Sequence, residues 1–402
     1  MPALKVLHVI PAVAPRYGGP SRAVFEMCRA VRSRGAEVMV ATTDADGSAH
    51  LAVQTGTPTD FQGTETIFFP RQLSERFGYS YPLASWLKSN VAGFDVVHIH
   101  AVFSHPCLAA AAACRRHSIP YIIRPLGSLD PWSLSQKRGR KRLMWHAGVK
   151  RMLHGAAAIH YTTAEEQRQA ETVGEMPRGV VIPLGINVEN FEDTGNRSTF
   201  GQSHPSLAAN PYVIVLSRLH PKKNLESLIQ AFLSVGAIDR FRNWRLIIAG
   251  DGETDYVASL KRQAGGEERI IFAGWLNGEE KASALRGAAL LALPSFQENF
   301  GLCVTEGLAC GVPAIVSPHV NLAGDIEAAG AGWVTGLDPH EIEKTLKSAM
   351  NDAGERQRRG EAGREFVTRN FGWPKIATEL VRLYQQVAAH STNVAKLAPS
   401  FS

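Results

Sequence analysis

The sequence predicts an α/β protein built as two doubly wound parallel-sheet domains, and three observations carry that expectation. Short, near-continuous apolar runs alternate with amphipathic stretches along the whole chain, as parallel strands buried on both faces alternate with crossover helices. The 402 residues suit two domains at about 100–200 residues each. Between two sets of such units lies a polar, aperiodic stretch, 192–210 (EDTGNRSTFGQSHPSLAAN), whose glycines and proline give it the composition of a linker.

In the first half, Val6–Ile10, Val38–Thr42, Asp95–His100, Tyr121–Arg124, Ala157–Tyr161 and Val180–Pro183 read as strands. Val24, Met27, Cys28 and Val31 recur at i, i+3, i+4 and i+7, one face of a helix. Ser21 is placed to cap its start and Gly35 to follow its end. In the second half, Tyr212–Ser217, Leu246–Gly250, Ile270–Gly274, Leu290–Pro294 and Pro313–Ser317 read as strands. Leu225, Leu228, Ile229 and Phe232 repeat the helical face after Asn224, a good N-cap. The expected domains are 1–195 and 205–373, with a helical stretch 374–390 crossing back to the first.

Composition narrows the class. Lys and Arg number 43 against 37 Asp and Glu, a net charge of +6, and mean hydropathy is −0.10. These values exclude a disordered or fibrous chain. No apolar run reaches the roughly 18–20 residues of a membrane span. The first residues lack the cleavage site of a secretory signal. Five cysteines without CxxC spacing give no disulfide framework or metal site, so a cytoplasmic location is expected.

Ligands of open α/β sheets bind beyond the carboxyl ends of the strands, so the loops there hold the candidate chemistry. Gly18 and Gly19, after the first strand, let backbone approach a ligand at a helix N-terminus. Ser217–Asn224 sets Arg218 and Lys223 at a strand–loop–helix junction, a guanidinium and an ammonium suited to a diphosphate. Pro294–Glu306 (PSFQENFGLCVTE) carries Glu298 in a loop and Glu306 about one turn into a helix that begins near Gly301. Each carboxylate accepts hydroxyls, which suits a sugar and a ribose. Either junction alone reads as solvated charge; together they point to a nucleotide diphosphate joined to a sugar.

Arg218 and Lys223, then Gly250-Asp251-Gly252, Glu298-x7-Glu306 and Ala309-Cys310-Gly311-Val312-Pro313 together resemble family 4 of the retaining glycosyltransferases. The resemblance covers essentially the whole chain. It implies the GT-B fold, two Rossmann-like domains facing a cleft, and metal-independent transfer of a hexosyl unit from a nucleotide-diphosphate sugar. It implies that Arg218 and Lys223 hold the diphosphate and that Glu298 contacts the transferred sugar. Phe300, Gly301 and Leu302 would supply nearby backbone contacts, Glu306 would bind the ribose, and Gly274–Leu276, with Trp275, would cradle the base. Gly18 and Gly19 match the acceptor-domain loop that closes on the phosphates. No cofactor is expected. Asp44-Ala45-Asp46 reads as a loop turn rather than a metal-binding DxD.

Many relatives carry a His-Gly pair where this chain has Leu126-Gly127. His100, Arg124 and Asp130 are the candidates for the acceptor and catalytic centre near it. At most one of His98 and His100 is expected to face the ligand, with His98 a hydrogen-bonded core histidine. The Pro-Leu-Gly-Ser-Leu-Asp-Pro-Trp run, 125–132, resembles a subgroup of bacterial polysaccharide-assembly enzymes. A nucleotide-sugar epimerase of the same fold and a non-catalytic nucleotide-sugar-binding protein are the alternatives; sugar transfer to an added acceptor separates them. Finally, 137–151 carries Lys137, Arg138, Arg140, Lys141, Arg142, Lys150 and Arg151 with no acidic residue. Interleaved Leu143, Met144, Trp145 and Val149 suit a basic helix lying on an anionic membrane or meeting a glycolipid acceptor. No nucleic-acid-binding pattern is present.

Overall fold

The computed structural model describes residues 3–73, 77–191, 198–204, 207 and 210–397. The chain divides into two compact units, residues 1–185 with 373–402, and residues 186–372. The division at Gly185 lies upstream of the 192–210 stretch. Ile186 pairs with Gly372 and the Phe191 ring packs against Lys281, which ties 186–191 to the second unit. Within 192–210, residues 192–197, 205–206 and 208–209 lie outside the described residues. Ser198–Ser203 is a short helix with Phe200 buried, so this part is ordered packing rather than linker.

The first unit's strands are β1 (Lys5–Ala12), β2 (Glu37–Thr43), β3 (Ala45–Asp46), β4 (Ala49–His50), β5 (Pro58–Phe61), β6 (Thr64–Phe69), β7 (Val96–His100), β8 (Tyr121–Arg124), β9 (Ala158–Tyr161) and β10 (Gly179–Val181). Eight of them form one sheet in the order β10-β9-β8-β7-β1-β2-β6-β5. All neighbours are parallel except β5 and β6. The β5–β6 pair and the small β3–β4 hairpin go beyond the sequence reading. Pro58, Asp60 and Gly63 make β5 resemble turn sequence, and proline is tolerated there because the strand is at an edge.

The helix Gly19–Arg32 buries Val24, Met27, Cys28 and Val31, the face read from its period. It begins earlier than expected: Gly18 caps it with φ +78° and Ser21 lies buried inside the first turns. A glycine there turns the chain directly from the loop into the helix. The C-terminal helix Trp373–Leu397 belongs to this first unit. It packs on Gly19–Arg32 and on β7, burying Ile376, Leu380 and Tyr384.

The second unit has β11 (Tyr212–Leu216), β12 (Arg245–Ala249), β13 (Ile270–Gly274), β14 (Leu290–Leu293), β15 (Ala314–Val316) and β16 (Gly332–Val334). They form one all-parallel sheet in the order β13-β12-β11-β14-β15-β16. Its core packs Val213, Val215 and Leu246 against Leu228, Ile229 and Phe232 of the helix Leu225–Gly236. β16, three residues long, has too little pattern to be read as a strand from sequence. Strand order reverses between β11 and β14, and the crevice at such a reversal is where doubly wound sheets bind ligands.

Candidate active site

That reversal brings the two sequence-predicted junctions of the second unit together. The loop after β11 carries Arg218 and Lys223; the loop after β14 carries Glu298. Lys223 Nζ and the Glu298 carboxylate form an ion pair across 75 residues of sequence. Their side chains are only 12% and 19% exposed, so water screens the pair weakly. Burial alone would raise the Glu298 carboxyl. The ammonium groups of Lys223 and Lys222, the Lys223 hydrogen bond and the Asn299 N–H outweigh it, and the group is held below the usual carboxylate range. Backbone bonds fix both loops: Phe296 N donates to Lys222 O (2.8 Å), and Glu298 N to His319 O (2.9 Å).

Arg218 is exposed and makes no ion pair among the described residues. Behind it, Gly250 has φ +141°, and a Cβ there would lie 1.8 Å from Ser217 O. Only glycine permits this approach of the loop after β12 to the loop after β11. Leu219 N then donates to Asp251 O (2.8 Å).

Gly301, φ +75°, begins the helix Leu302–Ala309 with no side-chain cap. The N-terminal N–H groups of a helix suit an anion. Phe300 is buried edge-on against Phe371, and Leu302 is partly buried. Trp275, after β13, is 43% exposed, its Nε1–H donating to Asn277 Oδ1. Glu306 is 2% exposed and paired with Lys281 at 2.8 Å. The sequence reading missed Lys281, which lies on the buried face of the helix Gly278–Arg286. A lysine on the core side of an amphipathic helix is the signal that could have found it.

In the first unit, Gly18 and Gly19 stand at the start of Gly19–Arg32. Asp44 accepts from Arg71 N (2.8 Å) and pairs with His50 (3.0 Å), while Asp46 pairs with Arg16 (3.6 Å). Both carboxylates of the DxD thus have protein partners. Asp130 is buried and caps the helix Pro131–Ser135 by accepting from Ser133 N (2.7 Å). Leu126 has φ +59°, and the next residue, Gly127, donates its N–H to the buried Glu166 carboxylate (2.7 Å).

His98 and His100 both lie on one face of β7, because residues two apart in a strand share a face; the expectation that at most one would point that way is corrected. Register sets His8 of β1 beside His98 and Arg124 of β8 beside His100. His160 of β9 joins the same face through its bond to His98. All four histidines and Arg124 are 0–1% exposed. The hydrogen bonds fix most of the proton positions. His160 Nε2 must donate to Ile182 O (2.7 Å), so its Nδ1 accepts from His98 Nε2 (3.3 Å), and His98 Nδ1 accepts from Tyr384 O–H (2.8 Å). Burial first, then the Arg124 charge, pushes His8 down to about 3 and His160 likewise. His98 and His100 are also lowered, by burial and then by neighbouring rings. His8, His98 and His100 bring ring nitrogens within 4.8 Å, but the adjacent guanidinium disfavours a cation there for the same reason that it disfavours protonation. The sequence reading did not single out His8 or His160.

The basic stretch is not one helix. Arg138–Met144 is helical, Trp145–Val149 is a π-helical turn, and Lys150–His154 resumes. Val149 and Met152 are buried and Met144 and Trp145 pack on the core, leaving Leu143 exposed. The surface presented to solvent is therefore cationic more than amphipathic.

Comparison with known proteins gives the chain's family and fold. The sequence profile of Glycosyltransferase Family 4 matches residues 17–190, and that of the Glycosyl transferases group 1 matches residues 196–366. The chain belongs to this glycosyltransferase family, whose members are retaining and metal-independent, and its two sheets have the GT-B fold. It is 30% identical over 210 residues to the uncharacterized glycosyltransferase MJ1607 of Methanocaldococcus jannaschii, covering 51% of this chain and 53% of that one. It is 24% identical to the GDP-mannose:cellobiosyl-diphosphopolyprenol alpha-mannosyltransferase of Komagataeibacter xylinus, across 98% of this chain and 96% of that protein. Sucrose-phosphate synthase from Thermosynechococcus elongatus superposes with a TM-score of 0.78 at 18% identity, over 96% of this chain and all of that one.

Proposed function

We propose that this enzyme moves a hexosyl unit from a nucleotide-diphosphate sugar to a lipid-linked saccharide during polysaccharide or lipopolysaccharide assembly, at the inner face of a membrane. The Lys223–Glu298 pair at the strand-order reversal is the observation that carries the reading. Breaking the bond between anomeric carbon and diphosphate leaves an electron pair on the diphosphate oxygen and positive charge on the carbon. In our reading Arg218, Lys223 and the N–H groups after Gly301 stabilise the departing diphosphate, an electrostatic effect that grows in a water-poor site. Glu298 orients the sugar hydroxyls, Glu306 holds the ribose and Trp275 stacks on the base. Gly18 and Gly19 form the first unit's own ligand loop, and the 125–130 loop with His100 and Arg124 belongs to the acceptor side. The first unit is then the acceptor-binding domain and the second the donor-binding domain.

The lipid-linked acceptor is supported by two features. The Komagataeibacter relative's name specifies a diphosphopolyprenol-linked acceptor. Beside the exposed cations of 137–151, a groove of about 680 Å³ on the first unit is lined by Lys88, Arg115, Arg116 and Arg151. These fit a peripheral enzyme on an anionic surface. Among the described residues no helix is long and apolar enough to cross a membrane.

A thermal-shift screen over UDP-, GDP- and ADP-sugars tests the donor reading. One of the three should stabilise the protein, by about 2.7 kcal/mol at 100 times its Kd, and Lys223→Ala should abolish the shift. No shift with any nucleotide sugar would overturn the proposal.

A further inference from the structure

Arg124 is a buried charge of the first unit that no counter-ion meets directly among the described residues. It ends β8, is 1% exposed, and its guanidinium makes no hydrogen bond or ion pair among the described residues. Its Nε is fully enclosed without a partner. A buried cation is strongly unfavourable unless something compensates it. Glu166 is the carboxylate coupled to it, but the Glu166 oxygens are engaged by Gly127 N (2.7 Å), Thr162 N (2.7 Å) and Thr162 Oγ1 (2.8 Å).

The other groups around Arg124 supply no negative charge. His8, His98, His100 and His160 are uncharged imidazoles, held so by burial and by Arg124 itself. Tyr384, from the C-terminal helix, keeps its proton, since burial raises its pKa, and donates that proton to His98. One positive charge therefore stands in a neutral polar layer, at the carboxyl end of a strand, the edge where ligands approach such sheets. The backbone on either side is strained. Ala101, whose N–H donates to Arg124 O (2.9 Å), has φ +88°, and Leu126 has φ +59°. Left-handed conformations in residues other than glycine persist where the surroundings enforce them and cluster at ligand sites.

We propose that Arg124 is an anion receptor, and that the acceptor it serves is an acidic saccharide bearing a carboxylate or a phosphate. A planar guanidinium matches either oxyanion through paired N–H donors. A neutral hydroxyl would add no counter-charge to that of Glu166, whose oxygens are already engaged by other donors. The proposal rests on the reading of the first unit as the acceptor side.

The test uses the full-length protein and matched probes: methyl glucuronide against methyl glucoside, and glucose 6-phosphate against glucose. Calorimetry is run on wild type and again in a Lys223→Ala background, which removes phosphate binding at the donor loops. An acidic probe should bind at least tenfold more tightly than its neutral partner. That advantage should vanish in Arg124→Met and survive in part in Arg124→Lys. A response confined to the glucuronide marks a uronate receptor, and one confined to the phosphate marks a sugar-phosphate receptor; either supports the proposal. Equal binding of both members in both pairs would overturn it, as would a preference that persists in Arg124→Met. If Arg124→Met fails to fold, the wild-type pairs and Arg124→Lys decide. A nucleotide-sugar shift measured alongside separates the two readings. Donor binding without acidic preference defeats only the anion receptor, whereas absence of both defeats the glycosyltransferase donor site as well.

Discussion

Lys223 and Glu298 neutralise one another before any ligand arrives, and their mutual contact fixes where each points. Lys223→Ala should lower turnover by roughly 10²–10³, the range for losing one electrostatic stabiliser. Glu298→Gln keeps the shape and removes the charge, and should cripple donor use while the fold persists. Steady-state kinetics beside a thermal melt checks both; wild-type turnover in either variant would refute the site. Lys281 and Glu306 are a different case, because the carboxylate is 2% exposed. Lys281→Met leaves it without its ammonium partner and should destabilise the second unit by about 3–5 kcal/mol, read by urea denaturation. Adding Glu306→Gln should restore part of that loss. The positions of Arg218, Lys223 and Glu298 in strand-end loops were legible because such loops are recognisable without coordinates. That of Glu306 was legible because it follows Glu298 at a fixed spacing into the next helix. Lys281 was not, because its partner is 25 residues away and its helix looks merely amphipathic.

At the scale of elements, the sheet face of β1, β7, β8 and β9 is polar where hydrophobic packing is the rule. Its four histidines are neutral in the folded protein, and their folded pKa values lie below the ordinary 6.5 of an unfolded chain. The unfolded chain therefore takes up protons first as pH falls. Stability is fully present above about pH 6.5 and should drain away toward pH 3, at about 1.4 kcal/mol per pH unit for each histidine involved. A pH series of melting temperatures should show this slope, and His160→Gln should reduce it. The strands themselves were legible from their apolar runs, because parallel strands buried on both faces need such runs. The chemistry of this face was hidden: a histidine every second residue in β7 says that the two share a face, but not what covers it. Tyr384, which does cover it, lies 286 residues away in sequence.

For the whole molecule, the net charge of +6 matters less than its placement on the first unit. Full-length protein should float with phosphatidylglycerol vesicles at low salt and release as salt rises, since each basic residue near the surface contributes about 1 kcal/mol before screening. It should leave phosphatidylcholine vesicles unbound. Reversing Arg138, Arg140 and Arg142 to Glu should weaken flotation at least tenfold without changing the melting temperature. Flotation retained by that variant would overturn the role given to 137–151, and a wild type that fails to float would overturn the membrane contact itself. The two-sheet architecture was legible from length and repeated strand–helix units. The exact division was not, since 186–191 has loop composition and is claimed by the second unit only through contacts such as Phe191 on Lys281.

The helix Trp373–Leu397 completes the first unit although it is made after the second. A ribosome therefore delivers the second unit as one uninterrupted length of chain, whereas the first must wait for residues synthesised nearly two hundred positions later. Until then its histidine face lacks Tyr384, the hydroxyl that donates to His98. The usual order of birth, amino-terminal domain first, is reversed between these two units: the one that begins earlier along the chain is finished after the other.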